Sequence, residues 1–465
     1  MTRLTGTFRY FIETFGCQMN QRDSETIEGL LLAKGFFPAD TVDEADIVVV
    51  NTCAVRESAE TKVWSRIGEI AAMSRNSEPR VIVLAGCMAQ IPENIDRIKK
   101  RAPYVKVVTG PGNIHCIPDL VEEALRLPSS RLLTAVSPSR TEAHKKESTQ
   151  VLPENLPRKR SEGPGAYVTI MYGCDNFCSY CVVPFVRGPQ VSREPQNIIS
   201  EVKQLVESGC SEITLLGQNV NAYGFDLDHD YGFAELLQDL DTIPDLARIR
   251  YFTSHPKDFS KEMVKTISQS QHICEHFHLP VQSGSNRMLR LMNRRYTIQD
   301  YCDLVDLIRE EVSNPAITTD IIVGFPGETD QDFQETLSLV EKIRFDGAFT
   351  FIYSARSNTP AARMKNQISR EIKSRRLQEL VALQNEITRS INSTLLGSTQ
   401  EVLIEGFDKK HTEYSRGRAR SNKLVVCTTP GPKPGDMVNV RIEETGTWYL
   451  KGPLVDAEQG RFDSA

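Results

Sequence analysis

Short apolar runs of strand length alternate with helix-patterned segments along most of this chain, and that alternation leaves few folds open. In the first segment, residues 10–15, 47–51, 81–86 and 105–109 read as strands. Between them Val63, Ile67, Ile70 and Ala71 recur at helical spacing, as do Ile27, Leu30 and Leu31 behind an Asp23 or Ser24 cap. Such alternation predicts a parallel sheet with helices on both faces. A second block, up to about residue 390, carries runs at 167–171, 212–216, 248–252, 276–279, 317–322 and 348–353, separated by helical patterns. Six such units predict a partial β/α barrel, since each parallel strand needs a right-handed crossover and the sheet curls as units accumulate. Beyond about residue 398 the pattern changes to short strands with Gly and Pro turns, including GPKPGD, which predicts a small all-β barrel or sandwich. The expected class is therefore α/β, with an N-terminal parallel α/β domain at 8–125, a central barrel at 161–390 and an all-β domain at 391–455. Residues 126–160, polar and punctuated by proline, read as a linker; their KKE and RKR runs are most simply solvated charge.

A chain of 465 residues exceeds one hydrophobic core. The longest apolar stretches are strand-sized, so no membrane span is expected, and the N-terminal residues lack the pattern of a signal peptide. Eleven cysteines then point to a reducing, cytoplasmic setting, where thiols serve metals or catalysis more often than disulfides. The net charge of −6 excludes a protein coated in basic residues but allows a local basic face.

Six of those cysteines form two patterns. Cys174, Cys178 and Cys181 lie within eight residues in YGCDNFCSYCVVP. Three thiolates on one short loop suit three corners of a 4Fe-4S cube, leaving one iron open to a substrate such as S-adenosylmethionine, whereas electron-carrying ferredoxins cap every iron with cysteine. The alternative is a zinc knuckle, but structural zinc wants four ligands, and the next cysteine, Cys210, comes only after a helical pattern. Cys17, Cys53 and Cys87 each follow a predicted strand, in FIETFGC, IVVVNTC and VIVLAGC. In a parallel sheet the carboxyl ends of neighbouring strands open on one crevice, which suggests a second three-thiolate cluster; the alternative is three buried free cysteines. Cys116, Cys210, Cys274, Cys302 and Cys427 share no spacing and read as packing residues. His272, His276 and His278 have no matching cysteine or carboxylate and read as hydrogen-bonded barrel histidines.

With the order of dispersed cysteines, GCDNFCSYCVVPFVRG and a basic all-β tail in view, the sequence resembles the radical S-adenosylmethionine methylthiotransferases over nearly its whole length. LLGQNVNAYG, FTSHP, HLPVQSGSNRMLRLMNRRYT and TDIIVGFPGET resemble the branch acting on N(6)-isopentenylated adenosine beside a tRNA anticodon. The resemblance implies a radical SAM barrel and a terminal RNA-binding domain of the TRAM type. It further implies two 4Fe-4S clusters, on Cys174, Cys178 and Cys181 and on Cys17, Cys53 and Cys87, with two S-adenosylmethionine molecules. One is reduced to methionine and a 5′-deoxyadenosyl radical, as befits an aromatic carbon-hydrogen bond that acid-base residues cannot open. The other methylates sulfur carried by the second cluster. Implied partners are a tRNA anticodon stem-loop and a reducing donor such as flavodoxin or ferredoxin; a monomer is expected. Rival branches act on threonylcarbamoyladenosine in tRNA or on a ribosomal protein aspartate, and a rival of another class is an iron-sulfur sensor that binds RNA through its tail.

Barrel enzymes place function at the carboxyl ends of their strands. Gln218, Asn219, Ser254, His255, Gln282 and Ser283 lie just past such ends and are candidates for holding the cofactor, against loop hydrogen bonding or capping. Tyr180, with Phe177, is expected to pack beside the first cluster or shield it. Asp320, inside the apolar run TTDIIVG, is expected either to face the barrel mouth or to pair with Arg294 or Arg295. GFPGET is a strand-to-helix turn with Thr329 as cap, and lacks the lysine of a P-loop. Residues 387–455 hold ten Lys and Arg against seven Asp and Glu, a local +3. Arg416, Arg418 and Arg420 alternate there, an expected phosphate-facing stripe whose alternative is a solvated edge.

Overall fold

The structure, a computed structural model, describes residues 7–54, 57–73, 81–127, 131–137, 152–160, 163–228 and 230–455. They fall into two compact units, one formed mainly by residues 1–161 with 171–177 and 181–191, the other by the rest.

In the first unit, β1 (Arg9–Thr14), β2 (Phe37–Pro38), β3 (Ile47–Thr52), β4 (Val81–Gly86), β5 (Val105–Thr109) and β6 (Leu133–Ala135) form a parallel sheet in the order β2-β1-β3-β4-β5-β6. Alternate side chains of a strand point to opposite faces. Val49, Val83 and Val107 accordingly pack with Ile27 and Leu31 on one side, and Val48, Ile82 and Leu84 with Val63, Ile67 and Ile70 on the other. Every residue of β3 and β4 is buried, as a sheet covered on both faces requires.

Two expectations are corrected here. Helix α1 (Gln18–Ala33) begins five residues or more before the Asp23 or Ser24 cap, with Cys17 as its N-cap and the Cys17 N–H donating to Asn20 Oδ1 at 3.4 Å. Part of the expected linker belongs to the domain: residues 133–135 supply β6, and Leu152 and Leu156 pack on the core. Lys159 of the RKR run pairs with Glu28 at 2.9 Å, and the KKE run lies outside the described residues.

In the second unit, Gly165–Thr169, Glu212–Leu216 and Arg248–Tyr251 form one parallel sheet, and His276–His278, Ala316–Val323 and Gly347–Ile352 another. A single parallel bridge between Ile249 and Ile273 links them, giving the six-unit partial barrel. Helices follow the strands. Asp330–Ile343 is capped by Thr329, whose hydroxyl accepts from the Asp332 N–H while the Asp332 carboxylate accepts from the Thr329 N–H. The helix Arg370–Ser393 leads to an all-β domain of six strands with Val402, Ile404, Val425 and Val440 in its core. An antiparallel bridge between Val440 and Leu454 draws its ends together.

The all-β domain is fastened to the amino-terminal rim of the barrel by buried arginines. Arg248, fully buried, reaches the Glu401 carboxylate at 2.7 Å and the Arg418 carbonyl at 2.8 Å. Arg250 pairs with Glu212 at 2.9 Å and donates to the carbonyls of Ala419 and Arg420. Arginine suits this duty because its planar fork satisfies carboxylate and carbonyl acceptors together.

Candidate active site: two cysteine sets and a polar barrel lumen

Cys17, Cys53 and Cys87 follow β1, β3 and β4, three strands adjacent in the sheet, so the topology brings the thiols to one crevice at its carboxyl edge. Asn20 and Asn51 lock that edge: Asn20 Nδ2 donates to the Thr52 carbonyl at 3.0 Å, and Asn51 Nδ2 to the Asn20 carbonyl at 2.8 Å. Gly86 precedes Cys87 with a φ of 91°, and a Cβ there would collide with the Thr52 carbonyl oxygen, so only glycine lets β4 turn beside Cys53.

The electrostatics act differently on two of these thiols. A hydrogen bond from Cys53 and the charge of Arg187, acting against burial, bring the Cys17 thiol down to about 6. Burial pushes the Cys87 thiol up, against the pull of the same guanidinium. Arg187 Nε lies 3.2 Å from Cys87 Sγ, and its Nη2 lies 2.8 Å from Asp23 Oδ2 in a pair whose side chains are 5% and 4% exposed. Among the described residues no three His, Cys, Asp or Glu side chains are drawn together like the ligands of a single metal ion. A four-iron cube asks for wider spacing, since each thiolate binds a different iron, and converging thiols beside a buried cation fit such a group.

Removing the Arg187 charge strands Asp23. Arg187→Met is expected to destabilise this unit by about 3–5 kcal/mol, as for any buried pair broken from one side. Arg187→Met with Asp23→Asn should recover most of that. Denaturant unfolding in a Trp448→Phe background reads it, because Trp64, the other of two tryptophans, then reports on this unit alone.

The second set sits on a pinned loop. Gly173, with a φ of 65°, approaches the Pro189 carbonyl so closely that no side chain fits, and the Cys174 N–H donates to Gly188 at 3.2 Å. The Ser179 N–H and hydroxyl donate to the carbonyls of Met292 and Leu291, at 3.0 and 2.7 Å. Arg294, buried, donates to the Pro280 carbonyl at 2.6 Å and places Nη1 3.5 Å from Cys178 Sγ. Cys178 therefore lies beside the segment that follows the strand His276–His278, at the carboxyl end of the barrel. Tyr180 packs with Met288, Met292 and Phe325, while Phe177 is 41% exposed.

The polar candidates around the mouth divide. Ser254 Oγ is buried without a partner among the described residues, a hydroxyl left for a polar ligand group. His255 is pushed down to about 2 by burial, with Arg294 and Lys257 adding to it. Its Nδ1 accepts from the Lys257 N–H at 3.3 Å, so this neutral ring keeps its proton on Nε2. Gln218 is half-buried, and Gln282 has a φ of 71° and is stitched by its backbone to Asp320 and Ile322. Asn219 and Ser283 are committed elsewhere: Asn219 binds Asp258 at 2.7 Å and the His255 N–H at 2.9 Å, and Ser283 meets Thr336 Oγ1 at 3.3 Å. These are the loop-holding bonds weighed as the alternative to cofactor contact. Asp320 faces the lumen and meets His278 at 3.4 Å; its expected rival partner Arg294 is spent on Pro280 and Cys178.

The arginine stripe is shorter than expected. The strand Ser415–Ala419 ends before Arg420, which grips Glu275 at 2.7 Å and the carbonyls of Gln271 and Ile273. Arg418 leans on Glu405 and the Asn422 carbonyl, and the Arg416 guanidinium makes no hydrogen bond or ion pair among the described residues. Of the remaining cysteines, Cys210, Cys274, Cys302 and Cys427 are buried and Cys116 is half-buried. His276 and His278 both bond Thr318 Oγ1, and His272 bonds Asp241.

Sequence comparison matches residues 9–110 to the Uncharacterized protein family UPF0004, 168–340 to the Radical SAM superfamily and 393–455 to the TRAM domain. The tRNA-2-methylthio-N(6)-dimethylallyladenosine synthase of Moorella thermoacetica is 46% identical over 98% of this chain and 100% of its own. The chain belongs to the tRNA-2-methylthio-N(6)-dimethylallyladenosine synthase family. The synthase of that name from Acetivibrio thermocellus is 45% identical, covering 96% of this chain and 91% of its own. Among solved structures, the radical S-adenosylmethionine methyltransferase TsrM from Kitasatospora setae, with cobalamin and a [4Fe-4S] cluster bound, superposes with a TM-score of 0.53 at 13% identity, over 85% of this chain and 81% of that one. At that identity the likeness is one of fold. Sequence reasoning singled out the six cysteines, but it did not mark Arg187 beside Cys87, although Arg187 stands in the quoted CVVPFVRG run, and it considered Arg294 only as a partner of Asp320, not as a neighbour of Cys178.

Proposed function

We propose that this chain adds a methylthio group to carbon 2 of N(6)-isopentenyladenosine at position 37 of tRNA, using two 4Fe-4S clusters and S-adenosylmethionine. The observation that carries the reading is the thiol set of the N-terminal sheet: Cys17, Cys53 and Cys87 at the ends of three adjacent strands, held beside the buried Arg187. A radical enzyme that only breaks a carbon-hydrogen bond needs one cluster; a sulfur donor calls for another. Cys174, Cys178 and Cys181 would hold the cluster that binds S-adenosylmethionine, and when bound these groups supply radical and sulfur chemistry that side chains lack.

The protein's own residues prepare the sites. Arg187 offers its Nε–H to the Cys87 sulfur and is held in place by Asp23, a pull toward the deprotonated thiol that works against the burial pushing that thiol up. Arg294 points its Nη1–H at the Cys178 sulfur from a position fixed by the Pro280 carbonyl. Ser254 presents an unpaired hydroxyl, and His255 a neutral ring whose only proton is on Nε2. No helix among the described residues is long and apolar enough to cross a membrane; the reaction proposed calls for a reducing donor, and a cytoplasmic flavodoxin or ferredoxin suits it.

The all-β domain contributes affinity for the phosphate backbone. Arg416→Ala should weaken binding of the anticodon stem-loop and lower the salt slope of log Kd by about one. Arg420→Ala should leave that slope unchanged and instead expose the joint with the barrel to proteolysis, since its guanidinium is spent on Glu275. Filter binding across a salt series separates the two.

The direct test of function is mass spectrometry of tRNA nucleosides from cells lacking the gene. Loss of the methylthio isopentenyl form is the expected result. Loss of only the methylthio threonylcarbamoyl form would move the chain to that rival branch.

A further inference from the structure

Inside the partial barrel the last two strands carry a wall of two characters. The strand Ala316–Val323 alternates buried and part-exposed residues, and Thr318, Asp320 and Ile322 are the part-exposed ones. Its parallel register sets Asp320 against Phe349 and Ile322 against Phe351, and paired residues of neighbouring strands share a face. The rings bear this out: His278, which bonds Thr318 and meets Asp320, stands edge-on to Phe349 at 5.8 Å. Phe349 is nonetheless 58% exposed, a large apolar surface on the lumen side of the barrel's terminal strand.

We propose that this wall reads the substituent on the substrate adenosine: Phe349, Phe351 and Ile322 receive a branched apolar chain, and Asp320 turns away an anionic one. The inference rests on the function proposed above and names what sets its substrate choice. An isopentenyl chain has no polar atom and gains by covering the exposed Phe349 ring and the part-buried Phe351 and Ile322 beside it. A threonylcarbamoyl group carries a carboxylate, which would be set near the Asp320 carboxylate, while Arg248 and Arg250 are spent on Glu401, Glu212 and backbone carbonyls, and Arg294 on Pro280. Specificity then comes from an attractive surface for one substituent and a repulsive group against the other.

The test measures Kd of the anaerobically reconstituted full chain for three anticodon stem-loop RNAs alike except at adenosine 37, which is unsubstituted, isopentenylated or threonylcarbamoylated. The wild type should prefer the isopentenyl RNA over the unsubstituted one by roughly tenfold, the scale of a small apolar group in a fitted pocket. Phe349→Ala should reduce that ratio to about twofold or less while affinity for the unsubstituted RNA stays the same, and Phe349→Leu should keep most of it. Asp320→Asn should tighten binding of the threonylcarbamoyl RNA alone. A folded Phe349→Ala protein that retains the wild-type ratio, in an enzyme that does modify isopentenyl RNA, overturns this inference and leaves the function standing. A wild type that modifies only threonylcarbamoyl RNA overturns the function, and this inference with it.

Discussion

Cys178→Ala is expected to abolish reductive cleavage of S-adenosylmethionine, to background, while leaving the fold intact. The substitution removes one buried sulfur, and Arg294, its neighbour at 3.5 Å, keeps the Pro280 carbonyl at 2.6 Å and the Tyr296 hydroxyl at 3.2 Å. The local structure therefore loses little. The chemistry loses everything, because a three-thiolate loop has no spare ligand: Cys174 and Cys181 complete the set, and Cys210, Cys274, Cys302 and Cys427 are buried elsewhere. Chromatography of 5′-deoxyadenosine from reduced, anaerobic protein gives the answer, and cleavage at the wild-type rate would remove the role assigned to the triplet.

Cys53→Ala should give the opposite pattern. Cleavage of S-adenosylmethionine should persist to a substantial degree, since the triplet is untouched, and methylthiolated product should fall to background. The thiol is 2% exposed and hydrogen-bonded to Cys17, so its removal also takes away the largest influence holding the Cys17 thiol low. The small void left by one sulfur costs on the order of 1 kcal/mol, too little to unfold the sheet. Mass spectrometry of the RNA, paired with the 5′-deoxyadenosine assay, distinguishes loss of sulfur insertion from loss of folding, because a misfolded protein would lose cleavage as well. Unchanged methylthio product would dismiss the second thiolate site.

Both substitutions were within reach of the sequence alone, for a physical reason. Apolar runs such as IVVVNT and VIVLAG are fully buried parallel strands, and a cysteine placed just past each of three of them must come to one edge once the strands align. The barrel and the all-β tail were legible through the same periodicities. What escaped was contact between residues far apart in the chain. Arg187 meets Cys87 and Asp23 across 100 and 164 positions, and nothing in local spacing marks it. Arg420 looked like the third member of an alternating stripe, yet the strand stops at Ala419 and the guanidinium turns to Glu275. Asn219 and Ser283 were well placed past strand ends, but a side chain's position does not tell which of its neighbours satisfies it; here Asp258 and Thr336 do. Cys17 masked its own role, because a cysteine is an unusual N-cap and the helix pattern becomes apolar only at Ile27.

Iron analysis of the anaerobically reconstituted full chain tests the central claim most directly. The wild type should hold about eight irons per chain, and either three-cysteine set replaced by alanine should leave about four, as two independent four-iron cubes require. A fully loaded wild type with only about four irons, or with zinc in place of iron, would contradict it.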